Sequence, residues 1–168
     1  EICLEKIMAH KPDIVFCQGE FSLCFRIVEL LKEKGIKADM AAGFSLGEIP
    51  ALAYTGVLSD EEAFKLVVAR GNSMNDCAEK RAGSMVAALK LTNEQVESVA
   101  SKFEAVYPVN YNCPGQVSCA GAVEELDAFA DAIKAEGGRA VKIAVSGAFH
   151  TPFMADAADV LRNELKVM

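Results

Sequence analysis

The stretch VYPVNYNCPGQVSCA, Val106 to Ala120, decides how the middle of this chain is read. Val106 to Tyr111 and Val117 to Ala120 read as two strands, and Cys113-Pro114-Gly115 reads as the turn between them. Upstream, Thr92-Asn93-Glu94-Gln95 has capping-box spacing and opens a helix predicted to reach about Glu104. Ahead of that helix, Met85 to Leu91 is strand-like. Downstream, Val123 to Glu136 is amphipathic and stops at Gly137-Gly138, after which Arg139 to Val145 is again a strand.

The resulting order, β-α-β-β-α-β, is that of a ferredoxin-like unit. The segments on either side read as parts of one α/β layer. Phe21 to Lys34 is a predicted helix, with Phe21, Cys24, Phe25, Val28 and Leu31 on the 3.6-residue period and Gly35 as its stop. Ile14 to Cys17 is too short to assign. Leu46 to Tyr54 is predicted helical, with Pro50 tolerated near the first turn and Gly56 just past the end. Ser59 and Glu62 form another capping box and open a third helix. The expected fold class is α/β: a large lobe over residues 1–83, an inserted ferredoxin-like small lobe over 84–146, and a return segment of the large lobe over 147–168.

With 168 residues, 52% apolar and 24% charged, the chain is long enough to bury a real core. It holds no apolar run of the roughly 18 to 20 residues that a membrane span needs. A cytoplasmic protein is expected, one whose natural start lies upstream, since Glu1-Ile2-Cys3 is not a natural initiation. The six cysteines, Cys3, Cys17, Cys24, Cys77, Cys113 and Cys119, form no CxxC pair and read as small residues in a reducing compartment. No metal site is expected. The net charge of −7 argues against nucleic acid and anionic membranes as partners.

Gly43-Phe44-Ser45-Leu46-Gly47 places a serine between two glycines where a short apolar segment meets a helix. At average usage, roughly one chain in twenty of this length carries Gly-x-Ser-x-Gly by chance. Two readings stay open at this point. Ser45 caps an ordinary helix, or it is a nucleophile on a sharp bend, with the Leu46 amide facing a developing oxyanion.

A serine nucleophile needs a base, and the chain has two histidines. His10, beside Lys11-Pro12, reads as a solvated surface residue. His150 lies at a predicted strand end and is followed by a proline that opens a helix, so it is the candidate base; the alternative is a histidine bonded to a backbone carbonyl. No third triad member stands out, since Asp156 and Asp159 fall on the solvent side of the helix after His150. On a helical wheel of Ser59 to Met74, Arg70 falls among Ala63, Leu66, Val67 and Met74, with Glu62, Lys65, Asn72 and Ser73 opposite. An arginine on an apolar face calls for an anionic partner, either an internal carboxylate or that of a substrate.

Four segments together resemble the malonyl-CoA:acyl-carrier-protein transacylases and related acyltransferase domains of fatty-acid and polyketide synthesis. They are Gly43-Phe44-Ser45-Leu46-Gly47-Glu48, Arg70-Gly71-Asn72-Ser73-Met74, Asn110-Tyr111-Asn112-Cys113-Pro114-Gly115-Gln116, and Gly147-Ala148-Phe149-His150-Thr151-Pro152. The resemblance implies an α/β-hydrolase-like large lobe, incomplete here, carrying the small lobe. It implies Ser45 as the acyl-carrying nucleophile, His150 as its base, the Leu46 amide as oxyanion donor and Arg70 as the anchor of the malonate carboxylate. Phe149 and Asn112 are the further substrate-contacting residues it implies, and Phe149 before the histidine is similar to the malonyl-selective branch. The implied partners are malonyl-CoA and acyl carrier protein, which brings its own phosphopantetheine, with no further cofactor; a monomer is expected.

The sequence departs from the family pattern in three ways. Phe44 stands where the family usually has histidine. The family's glycine- and glutamine-rich loop near the N-terminus is not found, Gln18-Gly19 being a poor substitute, and the family continues beyond the last helix. An internal fragment of weak or no activity is therefore expected. Rival readings are an acyltransferase domain of a polyketide-type synthase, a serine hydrolase or thioesterase, and a non-catalytic docking piece. Lys80-Arg81, Lys134, Arg139 and Lys142 are candidates for a basic surface that meets an acidic carrier.

Overall fold

The structure, a computed structural model, describes residues 29–168. The helix expected over Phe21 to Lys34 is seen in its last turns, 29–33, and Gly35 ends it at φ +75°. Ile14 to Cys17, His10, Gln18-Gly19 and the cysteines Cys3, Cys17 and Cys24 lie outside the described residues. The chain divides into two compact units, Glu1–Val67 with Met168 and Val68–Val167, taken here in turn.

In the first unit a 3-10 turn at Ser45–Gly47 leads into helix α1, Glu48–Tyr54. One continuous helix from Leu46 was expected. The first turn is tighter because the Gly47 amide donates to the Phe44 carbonyl at 2.9 Å, a three-residue closure. Pro50 sits at the third position of α1, where its missing donor costs nothing. The helix closes in a Schellman motif: Val57 N–H donates to Leu52 O, Gly56 N–H donates to Ala53 O, and Gly56 has φ +76°. Tyr54 accepts a bond from the Ala38 amide at 2.8 Å, tying the segment before the bend to α1.

Helix α2, Asp60–Lys80, opens with the expected capping box: Ser59 N–H donates to Glu62 Oε2 at 2.8 Å and Glu62 N–H to Ser59 Oγ at 3.3 Å. The division between the units falls inside this helix. Its buried stripe is Ala63, Leu66, Ser73 and Cys77. The wheel put Ser73 on the polar side; instead it is buried, with its hydroxyl satisfied locally by the Arg70 carbonyl at 3.2 Å.

The second unit is a mixed α/β assembly on a four-stranded antiparallel sheet. In chain order come β1 (Gly83–Leu89), α3 (Asn93–Ala100), β2 (Val106–Cys113), β3 (Gln116–Ala122), α4 (Val123–Ala135) and β4 (Arg139–Ile143). The strands lie in the order β2-β3-β1-β4. The β-α-β-β-α-β order read from the sequence is therefore present. The hairpin pairs Cys113 with Gln116 across the two-residue loop Pro114-Gly115, with Gly115 at φ +78°. Pro108 is accommodated because β2 is an edge strand with an irregular register at that point.

β1 is buried on both faces. Val86 and Ala88 join Val117 and Cys119 of β3 beneath Val96 and Val99 of α3 and Leu126, Phe129 and Ile133 of α4. Phe129 is fully buried and meets Phe103 edge-on at 5.8 Å; burying such a ring stabilises by roughly 1.5–3 kcal/mol. On the opposite face Met85, Ala120 and Ala122 pack with Ala105, Ala148 and Phe153.

Helix α3 is held by the expected capping box of Thr92 and Gln95 but ends at Ala100, short of Glu104. The chain has to reverse before β2 starts. Lys102 and Phe103 amides close back on Val99 and Ala100, and the Ala105 amide is already committed to Glu125 Oε2 at 3.1 Å. Helix α5, Ala155–Leu165, follows a 3-10 turn at Pro152–Met154.

Of the described cysteines, Cys77 and Cys119 are buried and Cys113 is exposed, all three free. Burial pushes the Cys119 thiol up to about 12. Thiol titration should therefore label Cys113 under native conditions, and Cys119 only after denaturation. Native labelling of Cys119 as fast as Cys113 would contradict the packing. Among the described residues no helix is long and apolar enough to cross a membrane.

Candidate active site

Ser45 sits in the first unit on a bend of unusual tightness. Its φ is +53°, a conformation that an ordinary side chain avoids and that costs about 1–3 kcal/mol. Phe44 before it is extended, at φ −119° and ψ 124°. A Cβ placed on Gly43 would lie 2.1 Å from the Gly47 carbonyl oxygen and 2.4 Å from the Glu48 nitrogen. The backbone thus folds onto itself across the serine, and only glycine fits at 43. Gly47 is different: its φ is −64° and a Cβ there meets nothing within 4 Å.

These observations bear on the two readings of the serine. A capping serine occupies the extended N-cap position. Here the N-cap of the 3-10 turn is Phe44, which is extended, and that of α1 is Gly47, which is right-handed helical. Ser45 occupies neither, and its φ lies in the left-handed region that favours glycine. Phe44 and Leu46 flank it, 67% and 37% exposed.

His150, Phe149, Arg70 and Asn112 belong to the second unit. His150 is exposed and has φ +63°. Its neighbours on both sides are anchored. Ala148 is buried against Gly83, where a Cβ would approach the Ala148 nitrogen and Cβ to 2.7 Å. Thr151 is buried, its hydroxyl donating to the Ala148 carbonyl at 2.6 Å and accepting from the Phe153 amide at 3.2 Å. Pro152 follows at the first position of the 3-10 turn, where a missing donor is harmless. The sequence reading noted the proline but missed the threonine; a hydroxyl residue directly before a helix-opening proline is the signal that would have found it.

Phe149 is half-buried against Met154, Cys77 and Ala157, and its ring lies over Gly147, where a Cβ would come within 2.7 Å of it. Arg81 stacks on the Phe153 ring, 3.5 Å from its centroid. Arg70 is half-buried on α2, one turn past Leu66 and one before Ser73. Asn112 is exposed near the hairpin end, its amide donating to Ser118 Oγ at 3.0 Å.

Asp156 and Asp159 both face solvent, as the sequence predicts. Asp156 pairs with Lys80 at 2.8 Å and Asp159 with Arg162. The Lys80 ammonium holds the Asp156 carboxyl below the usual range, and Asp156 in turn raises Lys80. Of the other basic candidates, Lys134 pairs with Asp131 and Lys142 with Asp127, while Arg139 is exposed on the edge strand β4. These pairs are all exposed and contribute little to stability.

Ser45 belongs to the first unit, and Arg70 and His150 belong to the second. Residues 19–168 match the acyl transferase domain, and the chain belongs to that family. It is 36% identical over 144 residues to the malonyl CoA-acyl carrier protein transacylase of Bacillus subtilis, covering 83% of this chain and 45% of that protein. It is 37% identical over 167 residues to the protein of the same name from Synechocystis, covering 96% of this chain and 55% of that one. Among solved structures it resembles the malonyl CoA-acyl carrier protein transacylase of Clostridium perfringens, with a TM-score of 0.81 and 37% identity over 86% of this chain and 46% of that chain. It also resembles a malonyl-transacylase solved with a type II polyketide acyl-carrier protein, with a TM-score of 0.80 and 38% identity over 84% and 48% of the two chains. The chain spans about half the length of the relatives it matches.

Proposed function

We propose that the full-length protein containing this chain transfers malonyl from malonyl-CoA to the phosphopantetheine thiol of acyl carrier protein, through an ester on Ser45, in fatty-acid synthesis. The observation that carries this reading is the elbow: φ +53° at Ser45, with Gly43 closed against the Gly47 carbonyl. The transacylase relatives, one of them solved with a carrier protein, supply the substrate class.

In the first half-reaction His150 accepts the Ser45 proton as Oγ attacks the thioester carbonyl. The Leu46 amide stabilises the tetrahedral oxyanion. The C–S bond then breaks, and His150 returns the proton to the departing CoA sulfur. In the second half-reaction the carrier thiol loses its proton to His150 and attacks the seryl ester. Collapse breaks the C–O bond, and the proton goes back to Ser45 Oγ. Arg70 holds the malonyl carboxylate throughout in a charge-assisted, forked contact. Phe149 lines the acyl site, its ring fixed over Gly147; Asn112 is assigned to substrate on the motif match alone.

The same reading makes residues 84–146 a ferredoxin-like small lobe inserted in an α/β-hydrolase-like large lobe formed by 1–83, 147–168 and the remainder of the protein. It places the protein in the cytoplasm as a monomer, and the net charge of −7 speaks against nucleic acid or anionic membrane as partners.

The test is incubation of the full-length protein with malonyl-CoA, with and without acyl carrier protein. Malonyl-carrier product supports the proposal; free malonate with no carrier product makes the protein a hydrolase instead. Arg70→Ala is expected to lower malonyl transfer by about 10- to 100-fold, the worth of a charged hydrogen-bonded contact, while acetyl transfer changes little. Equal loss on both acyl groups would refute the carboxylate anchor.

A further inference from the structure

We propose that Thr151 is a positioning residue for His150: its buried hydroxyl bridges the backbone on either side of the histidine and locks it in a left-handed turn. The inference rests on the reading of His150 as the base.

Three observations support it. His150 has φ +63°, a backbone state uncommon for any residue but glycine, so something must hold it there. Thr151 Oγ1 donates to the Ala148 carbonyl, two residues before His150, at 2.6 Å, and accepts from the Phe153 amide, three residues after it, at 3.2 Å. One hydroxyl therefore spans the turn on both sides of the imidazole-bearing residue. Both anchor points are themselves fixed. Ala148 is buried against Gly83, and Phe153 is buried between Arg81, whose guanidinium stacks on its ring, and Tyr107, edge-on at 6.5 Å. Thr151 has little surface to offer a ligand, since the residue is 7% exposed. Its hydroxyl proton goes to a carbonyl and its lone pair to an amide, so it acts through the turn and touches no substrate.

Fixing the backbone confines the ring to the few rotamers compatible with one φ, which sets the direction from which it can accept a proton.

The test uses the full-length protein and compares Thr151→Val, Thr151→Ser and His150→Ala by rapid-mixing kinetics of CoA release from malonyl-CoA in the absence of carrier protein. The burst amplitude counts folded, acylatable sites, and the burst rate reports the acylation step. Thr151→Val keeps the shape but loses both hydrogen bonds. It is expected to slow the burst by about 10- to 100-fold, the cost of displacing a catalytic group by about 1 Å, with the amplitude and the half-saturating malonyl-CoA concentration essentially unchanged. Thr151→Ser retains the hydroxyl and should restore the rate to within a few-fold. A reduced amplitude at unchanged rate would make Thr151 merely structural, and an unchanged burst would remove its role altogether; either overturns the inference. His150→Ala separates the two levels. If it leaves the burst rate intact, the assignment of the base fails; if it abolishes the burst while Thr151→Val does not slow it, only the positioning role fails.

Discussion

Ser45→Ala in the full-length protein is expected to reduce malonyl transfer to acyl carrier protein by about 10⁴-fold or more, because the reaction loses its covalent intermediate. His150→Ala should cost a similar factor. The double variant should be scarcely worse than either single one, since in the proposed cycle nucleophile and base act as a unit and their losses do not add. Backbone conformation underlies this expectation. Glycine at position 45 would relieve a strain of about 1–3 kcal/mol but would remove the hydroxyl that the proposed chemistry uses. Steady-state transfer assays on the three variants test the argument. Losses that multiply in the double variant would mean that serine and histidine work in separate steps.

The second large effect concerns two glycines that the Gly-x-Ser-x-Gly pattern treats alike. Gly43→Ala would drive a methyl to 2.1 Å from the Gly47 carbonyl oxygen and 2.2 Å from its carbon. These are backbone atoms that no rotamer change moves aside, so the bend must open. A stability loss of about 1–3 kcal/mol is expected from the overpacking. The shift of Ser45 should lower transfer by about 10²-fold beyond any loss of folded protein. Gly47→Ala should do neither, because its backbone is right-handed helical and the space around it is open. Thermal unfolding together with transfer rates on both variants checks this. Equal damage at 43 and 47 would contradict the described bend.

Much of the local structure was legible because it depends on neighbours in sequence. The capping boxes at Ser59 and Thr92 are bonded as their spacing predicts. The Pro114-Gly115 hairpin and the β-α-β-β-α-β order follow from turn chemistry and periodicity. What escaped depends on the return path of the chain. Helix α3 stops at Ala100, where the Lys102 and Phe103 amides turn back on Val99 and Ala100, and the Ala105 amide bonds Glu125, twenty residues on. Ser73 can be buried at little cost since its hydroxyl donates to the Arg70 carbonyl, which a wheel of side-chain polarity does not register.

The candidate site divides along the same line. Ser45, Arg70 and His150 were recognisable as residue types in motifs, but the positive φ at Ser45 and His150 has no compositional signal, since neither is a glycine. Thr151 lies within the Gly147–Pro152 motif, but its bonds to the Ala148 carbonyl and the Phe153 amide depend on the folded turn and have no signal in residue type alone.

The central claim is that Ser45 carries the acyl group, and peptide mass spectrometry of the full-length protein quenched after brief exposure to malonyl-CoA tests it most directly. One malonyl group should appear on the peptide containing Ser45, disappear when acyl carrier protein is added before the quench, and be absent from Ser45→Ala. A malonyl label on another residue, or one that persists undiminished in Ser45→Ala, would contradict the account.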